Sequence, residues 1–166
     1  MTILDANTFE FISRSADQTK RIGMRLGGFL NTGDVICLCG ELGAGKTTLT
    51  QGIAHGWGSI DPVKSPTFVL VRNYRRADRA EMNHLDAYRL NSGQEAEDLD
   101  LDIMIEKGPL IIEWPDKIVD ALPEENLWIE LVCVSDQQRN LTIKAAGKRY
   151  KLLLLELKNK MVKSFI

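Results

Sequence analysis

Gly40-Glu41-Leu42-Gly43-Ala44-Gly45-Lys46-Thr47 is the stretch on which the reading of the fold turns. It fits G-x-x-x-x-G-K-[ST], the phosphate-binding P-loop. The five residues before it, Val35-Ile36-Cys37-Leu38-Cys39, form an apolar, partly β-branched run, as a buried strand requires. Thr48 to Ala54 reads as a helix that runs on to about Gly56. Strand, glycine loop and helix in this order are the context the motif needs. Gly40, Gly43 and Gly45 permit backbone angles that other residues avoid, so successive N–H groups can curl round an anion. The helix starts there with unpaired N–H groups and a partial positive charge. The expected phosphate-binding set is Gly40, Gly43, Ala44, Gly45, Lys46, Thr47 and Thr48. Lys46 would reach the β- and γ-phosphates, and the Thr47 hydroxyl would bind Mg²⁺.

The chain has 166 residues, which suits a single domain, residues 1–166, around one core. A net charge of −2 argues against a global nucleic-acid or membrane binder. Cys37, Cys39 and Cys133 all lie in apolar strand-like runs and read as small buried hydrophobes in a reducing compartment. Met1 to Asp5 has neither a basic segment nor a long apolar core, so no signal peptide is expected. The longest apolar run, Leu152 to Leu155, is far too short to span a bilayer. These features predict a soluble, cytoplasmic protein that does not act at a membrane.

Upstream of the loop, Thr8 to Ile12 reads as a short strand. Ser15-Ala16-Asp17-Gln18 has the form of a capping box, opening a helix to about Leu30. Gly23, Gly27 and Gly28 weaken that helix and are read as allowing it to pack closely on the sheet. Downstream, Val69 to Tyr74 and Met82 to Leu85 read as an antiparallel hairpin inserted after the loop's helix. From Gly93 to Glu106 the chain is acidic, and a helix is expected to begin near Ser92. Leu110-Ile111-Ile112-Glu113 is a buried strand ended by Trp114-Pro115, with a short helix at Ile118 to Leu122. Leu127 to Val134 and Asn140 to Ala145 read as strands, and Tyr150 to about Val162 as a C-terminal helix. The fold class that emerges is α/β, a P-loop NTPase-like three-layer fold with a largely parallel central sheet and an antiparallel hairpin insertion.

ATP hydrolysis needs charge stabilisation, a metal clamp and a positioned water. Lys46 and the loop amides supply the first, and Thr47 one metal ligand. An acid is expected at the end of a strand near the loop's strand, and two residues qualify. Glu113 follows a clean apolar run, and Asp86 follows the poorer run Met82-Asn83-His84-Leu85. One would hold Mg²⁺ through water and the other would act as base or orient the attacking water. Thr67 is either a switch threonine or a strand-entry residue after a proline. Trp114 is either core or a neighbour of the nucleotide. Arg72, Arg75, Arg76 and Arg79 surround Tyr74, as a basic hairpin that touches nucleic acid or as a solvated one.

Four blocks stand in order: Gly40 to Thr48, Ser65-Pro66-Thr67, His84-Leu85-Asp86-Ala87-Tyr88-Arg89-Leu90 and Glu113-Trp114-Pro115. Their combination resembles the bacterial P-loop ATPase family that serves tRNA threonylcarbamoyladenosine biosynthesis, the TsaE or YjeE family. Asp100 departs from it, standing where a glycine is expected. The resemblance implies an accessory ATPase using ATP, releasing ADP and needing Mg²⁺. It also implies two partners, a threonylcarbamoyl transferase and its paralogous scaffold protein, with tRNA contacted indirectly or weakly. By the same resemblance Ser15 or Thr19, with Arg139, would edge the adenine pocket. The alternatives are a small-molecule or nucleoside kinase of the P-loop class, with Arg75 to Arg79 as lid, and a nucleotide-dependent binding module.

Overall fold

The computed structural model describes residues 5–64, 70–91 and 93–164. The expectations for Ser65-Pro66-Thr67, for a strand start at Val69 and for a helix start at Ser92 lie outside the described residues. A single sheet of seven strands runs in the order β1-β7-β6-β2-β5-β4-β3. The strands are β1 Thr8–Ser13, β2 Val35–Cys39, β3 Val71–Arg75, β4 Glu81–Asp86, β5 Leu110–Glu113, β6 Asn126–Cys133 and β7 Arg139–Ala146. The central strands β6, β2, β5 and β4 are mutually parallel. Antiparallel pairing takes over at both edges, through β6–β7–β1 on one side and β4–β3 on the other.

Alternation along the strands sends two apolar sets to opposite faces. Ile36, Leu38, Ile111, Ile129 and Ile143 join one cluster, covered by α1 Ala16–Gly27, α2 Lys46–Trp57 and α5 Lys148–Lys163. Val35, Cys37, Leu110 and Ile112 join the other, under α3 Gly93–Glu97, α4 Leu101–Lys107 and a 3-10 helix, Pro115–Ala121. The result is helix, sheet, helix in three layers. Asp34 and Val35 also receive α5: Tyr150 Oη accepts from the Val35 N–H at 2.8 Å, and Arg149 pairs with buried Asp34 at 2.7 Å.

Several expectations change on the structure. The hairpin is not a pure insertion, because β4 is the fourth strand of the parallel core and only β3 is an added edge. Alternating Met82 and His84 are fully buried, which an inserted hairpin would not need. The acidic stretch carries two short helices, α3 and α4. Asp100 lies between them in the left-handed conformation, φ 54° and ψ 55°, which is why a glycine is the expected residue there. Cys133 is exposed rather than buried, at the solvent end of β6. The capping box is real. Ser15 Oγ accepts the Gln18 N–H at 3.1 Å, and Gln18 Oε1 reaches back to the Arg14 N–H at 2.7 Å.

The helix glycines serve a different contact from the one expected. A Cβ on Gly23 would lie 2.5 Å from the Leu49 carbonyl, and one on Gly27 would strike the Ile53 carbonyl. From the other side, Gly52 meets the Lys20 carbonyl and Gly56 the Met24 carbonyl. Four glycines therefore let α1 and α2 touch backbone to backbone, helix on helix rather than helix on sheet. Gly28 differs: its φ is −64° and its nearest neighbour atom is 3.6 Å away. Gly27→Ala is expected to lower unfolding free energy by about 1–3 kcal/mol through overpacking. Gly28→Ala should leave it unchanged or raise it by up to about 1 kcal/mol. Urea denaturation of the two variants checks the contrast.

Candidate functional site

The site forms where β2, β5 and β4 end together. After Cys39 the chain turns through Gly40, Gly43 and Gly45, with φ of 155°, 80° and 105°. Two of these positions have further demands. A Cβ on Gly40 would sit 2.5 Å from the Leu131 carbonyl of β6, and Gly45 is the left-handed N-cap of α2. No side chain caps that helix and no acid stands in its first turn, so its leading N–H groups and partial positive charge face outward. Thr47 and Thr48 lie half-buried in this first turn. The Ala44 N–H is already paired, donating to the Glu41 carbonyl at 3.0 Å.

Lys46 is only 5% exposed. Its Nζ donates to the Gly40 carbonyl at 2.5 Å and the Glu41 carbonyl at 2.9 Å, and stands 4.2 Å from the centre of the Trp114 ring. Burial pulls the ammonium below its ordinary pKa, while the charges of Glu113 and Asp86 work the other way. Trp114 takes a left-handed backbone, φ 58°, unusual for so large a residue, and its ring packs on Tyr88 at 4.9 Å. Half-buried, it packs on the edge of the second apolar cluster and also lies against the loop lysine.

Both acids lie in register with the loop strand. Glu113 is the pairing partner of Leu38 in β2, and Asp86 is the partner of Glu113 in turn. Glu113 belongs to the strand adjacent to β2, and Asp86 to the strand beyond. Glu113 is 3% exposed and held from below: His84 Nε2 lies 3.0 Å from its Oε1, and the Thr50 hydroxyl 3.4 Å. Thr50 Oγ1 also donates to the Lys46 carbonyl at 2.9 Å. Tyr74 Oη lies 2.8 Å from His84 Nδ1. Asp86 is half-buried and its Oδ1 accepts the Tyr88 N–H at 2.9 Å. Burial raises its carboxyl above the ordinary 3.8; the Glu113 charge adds to this and the Tyr88 bond opposes it.

Thr50, His84 and Tyr74 are absent from the sequence-based site. A signal for them existed. Thr50 stands four residues after Lys46, on the same helical face, and His84 stands two before Asp86, on the same strand face. Nothing local marks Tyr74.

A second part of the site is a cleft of about 360 Å³ lined by Ser15, Thr19, Gly43, Gly45, Thr48 and Arg139, with Asp136 and Gln137 of the β6–β7 turn. The structure thus brings the start of α1 and Arg139 together at the loop. Thr19 Oγ1 bonds Ser13 Oγ at 2.7 Å inside the core, and Arg139 Nε donates to the Ala44 carbonyl at 3.0 Å. The arginine hairpin, in contrast, has two of its four arginines tied up in ion pairs. Arg75 pairs with Asp61 and Arg76 with Asp78, both at 2.8 Å, Arg76 also covers Trp57, and Tyr74 is 3% exposed. The aromatic expected to face outward is buried. Among the described residues no helix is long and apolar enough to cross a membrane.

This fold and site define an α/β protein with a glycine-rich loop opening a helix opposite two strand-end carboxylates. The chain belongs to the TsaE family: the family model described as "Threonylcarbamoyl adenosine biosynthesis protein TsaE" matches residues 13–141. A Streptomyces coelicolor relative named tRNA threonylcarbamoyladenosine biosynthesis protein TsaE is 39% identical over 137 residues, 79% of this chain and 93% of its own. A Bacillus subtilis protein of the same name is 39% identical over 142 residues, 85% and 88% of the two chains. The crystal structure of Bacillus subtilis YdiB superposes with a TM-score of 0.77 at 32% identity, covering 92% of this chain and 95% of that one.

The raised Asp86 pKa carries a stability consequence. A carboxyl whose folded pKa exceeds its unfolded one favours the fold below 3.8 and loses that contribution as pH rises through the folded value. Asp86→Asn keeps the acceptor for the Tyr88 N–H without the charge. Its urea midpoint should exceed that of the parent at pH 7, and the gap should close below pH 4.

Proposed function

We propose that this chain is an accessory ATPase of tRNA N6-threonylcarbamoyladenosine biosynthesis. On this reading it binds ATP with Mg²⁺ in the cytoplasm and supports turnover of a threonylcarbamoyl transferase and its paralogous scaffold, meeting tRNA indirectly or weakly. One observation carries the ATPase part: a loop lysine at an uncapped helix N-terminus, opposite two carboxylates in register at the ends of neighbouring parallel strands. Family membership and the relatives' names support the tRNA part.

The donor set fits the proposed ligands. Among the described residues no group of three or more His, Cys, Asp or Glu is placed to hold a metal ion. Mg²⁺ suits such a site, because one or two carboxylates suffice for it and substrate phosphate and water complete its shell, so few protein oxygens are needed. Thr47, Glu113 and Asp86 would provide these protein oxygens, and the ion would neutralise phosphate charge. Lys46 would exchange the Gly40 and Glu41 carbonyls for phosphate oxygens, which bear full charge and bond more strongly. Gly43, Gly45, Thr47 and Thr48 would offer backbone N–H groups. Thr19 and Arg139 would border the base in the cleft. In hydrolysis the water oxygen bonds to the γ-phosphorus, the bond to the β–γ bridging oxygen breaks, and ADP leaves with the electron pair. The water proton passes to a carboxylate and on to the phosphate released. Glu113, the better fixed of the two acids, orients that water, with Asp86 beside it. Paired Arg75 and Arg76 lack the freedom of a kinase lid, which favours hydrolysis over transfer to a small molecule.

Lys46→Ala should weaken ATP binding by roughly 10- to 150-fold, the equivalent of a charged hydrogen bond; calorimetry reads this. Glu113→Gln should still bind nucleotide while hydrolysis falls about 10²-fold or more. Chelation of Mg²⁺ with EDTA should stop phosphate release. In cells, depletion should lower threonylcarbamoyladenosine in digested tRNA by nucleoside mass spectrometry, with a Glu113→Gln copy failing to restore it. Full modification after verified depletion contradicts the tRNA reading.

A further inference from the structure

Beneath the site lies a polar chain that nucleotide binding does not require. Tyr74, His84, Thr50 and Glu113 are 3%, 0%, 0% and 3% exposed, in an otherwise apolar layer of Ile111, Leu38, Met82 and Ile53. Buried polar groups are costly unless each is partnered, so such a chain persists where every link is made. Here the links are 2.8 Å from Tyr74 Oη to His84 Nδ1 and 3.0 Å from His84 Nε2 to Glu113 Oε1.

The chain has a direction. A carboxylate can only accept, so Nε2 carries the proton between His84 and Glu113. In the neutral ring Nδ1 is then the acceptor, and the Tyr74 hydroxyl is its donor. Burial pushes that hydroxyl up to about 12, so it keeps its proton. The far end is anchored, since Tyr74 belongs to the edge strand β3 and is paired in register with Met82 of β4. Only Oε1 of Glu113 is engaged by these groups. Among the described residues Oε2 takes no hydrogen bond.

We propose that Tyr74 and His84 are positioning residues for Glu113. The Tyr74 hydroxyl locks the His84 imidazole as its Nε2–H tautomer, and this N–H fixes Oε1 so that Oε2 is presented to the attacking water. The proposal rests on the ATPase reading above and adds to it which groups aim the acid. It also explains why the aromatic of the arginine hairpin is buried: its hydroxyl is the last donor in the chain.

Two measurements test it, using the full chain with MgATP. The first is steady-state hydrolysis with ADP affinity by calorimetry. Tyr74→Phe keeps the ring and removes only the hydroxyl. It should lower kcat about 10-fold with KM and ADP affinity unchanged, since partners of a site residue typically carry effects of about 10–100-fold. His84→Ala should lower kcat further, and His84→Gln, which keeps an N–H donor, should recover part of the loss. The second is ¹⁵N NMR of the histidine rings without nucleotide. His84 should show the Nε2–H tautomer in the parent and a mixture of tautomers in Tyr74→Phe. An active parent whose kcat survives Tyr74→Phe overturns the positioning role and leaves the ATPase reading intact. An Nδ1–H tautomer in the parent overturns it whatever the activity. A parent that shows the Nε2–H tautomer but releases no phosphate from ATP, alone or with its partners, overturns the ATPase reading and the catalytic half of this inference with it.

Discussion

Parallel pairing of β2, β5 and β4 is the constraint on which the site depends. Hydrogen-bond register sets Leu38 against Glu113 and Glu113 against Asp86, so the last residues of three strands arrive at one line. The chain leaves β2 into the glycine loop at that same line. A slip of one residue in β5 would turn Glu113 to the opposite face and remove the acid from Lys46. Open parallel sheets place ligands outside the carboxyl ends of their strands for this reason: loops diverge there and helix N-termini converge. Here β2 is flanked on one side by β5 and on the other by β6, and both neighbours contribute to the loop. Glu113 faces its lysine, and the Leu131 carbonyl leaves room for nothing larger than glycine at position 40.

Holding the helix behind the loop is a second task, and it falls to backbone contact rather than side-chain packing. The glycines of α1 and α2 interlock at Gly23, Gly27, Gly52 and Gly56. Such an approach loses the helical propensity of four positions, roughly 1 kcal/mol each against alanine. In return α2 is tied along its length to α1, whose start, at Ser15 and Thr19, borders the cleft next to the loop. Both halves of the site are thus mounted on one helix pair. Arg139 adds a tie from the β6–β7 turn, donating to the Ala44 carbonyl of the loop itself.

The electrostatics of the site are those of a buried cation beside two acids. Lys46 is drawn into the protein against its desolvation cost by two loop carbonyls, the Trp114 face and the nearby charges of Glu113 and Asp86. Two carboxylates close to each other repel, and burial of Asp86 adds to that cost. A group carrying positive charge to the acids and negative charge to the lysine would relieve both at once, as magnesium-bound phosphate does. The left-handed backbone of Trp114, held between Lys46 and Tyr88, fits the tendency of backbone strain to gather where ligands bind.

Local chemistry made part of this legible from residue order. The β2–loop–α2 unit, the capping box at Ser15 and Glu113 at the end of an apolar run depend on neighbours within a few residues, where glycine conformations, caps and strand periodicity act. Asp100 stands apart: only the family resemblance pointed to a glycine there, and the structure alone shows the left-handed backbone that a glycine would suit. Residues far apart in the chain determined the rest. Whether β4 is an inserted strand or a core strand depends on its pairing with β5. Whether the α1 glycines meet a sheet or a helix depends on where α2 docks. Arg75 reads as part of a basic patch because its partner, Asp61, lies 14 residues back and meets it only once the hairpin is folded. The support of Glu113 is of the same kind: Thr50 is 63 residues away and His84 29, and no periodicity links them. Hydrogen bonds at such separations exist only after the sheet has set its register. The sequence alone could therefore name the loop and two candidate acids, and tertiary structure chose the groups that hold them in place.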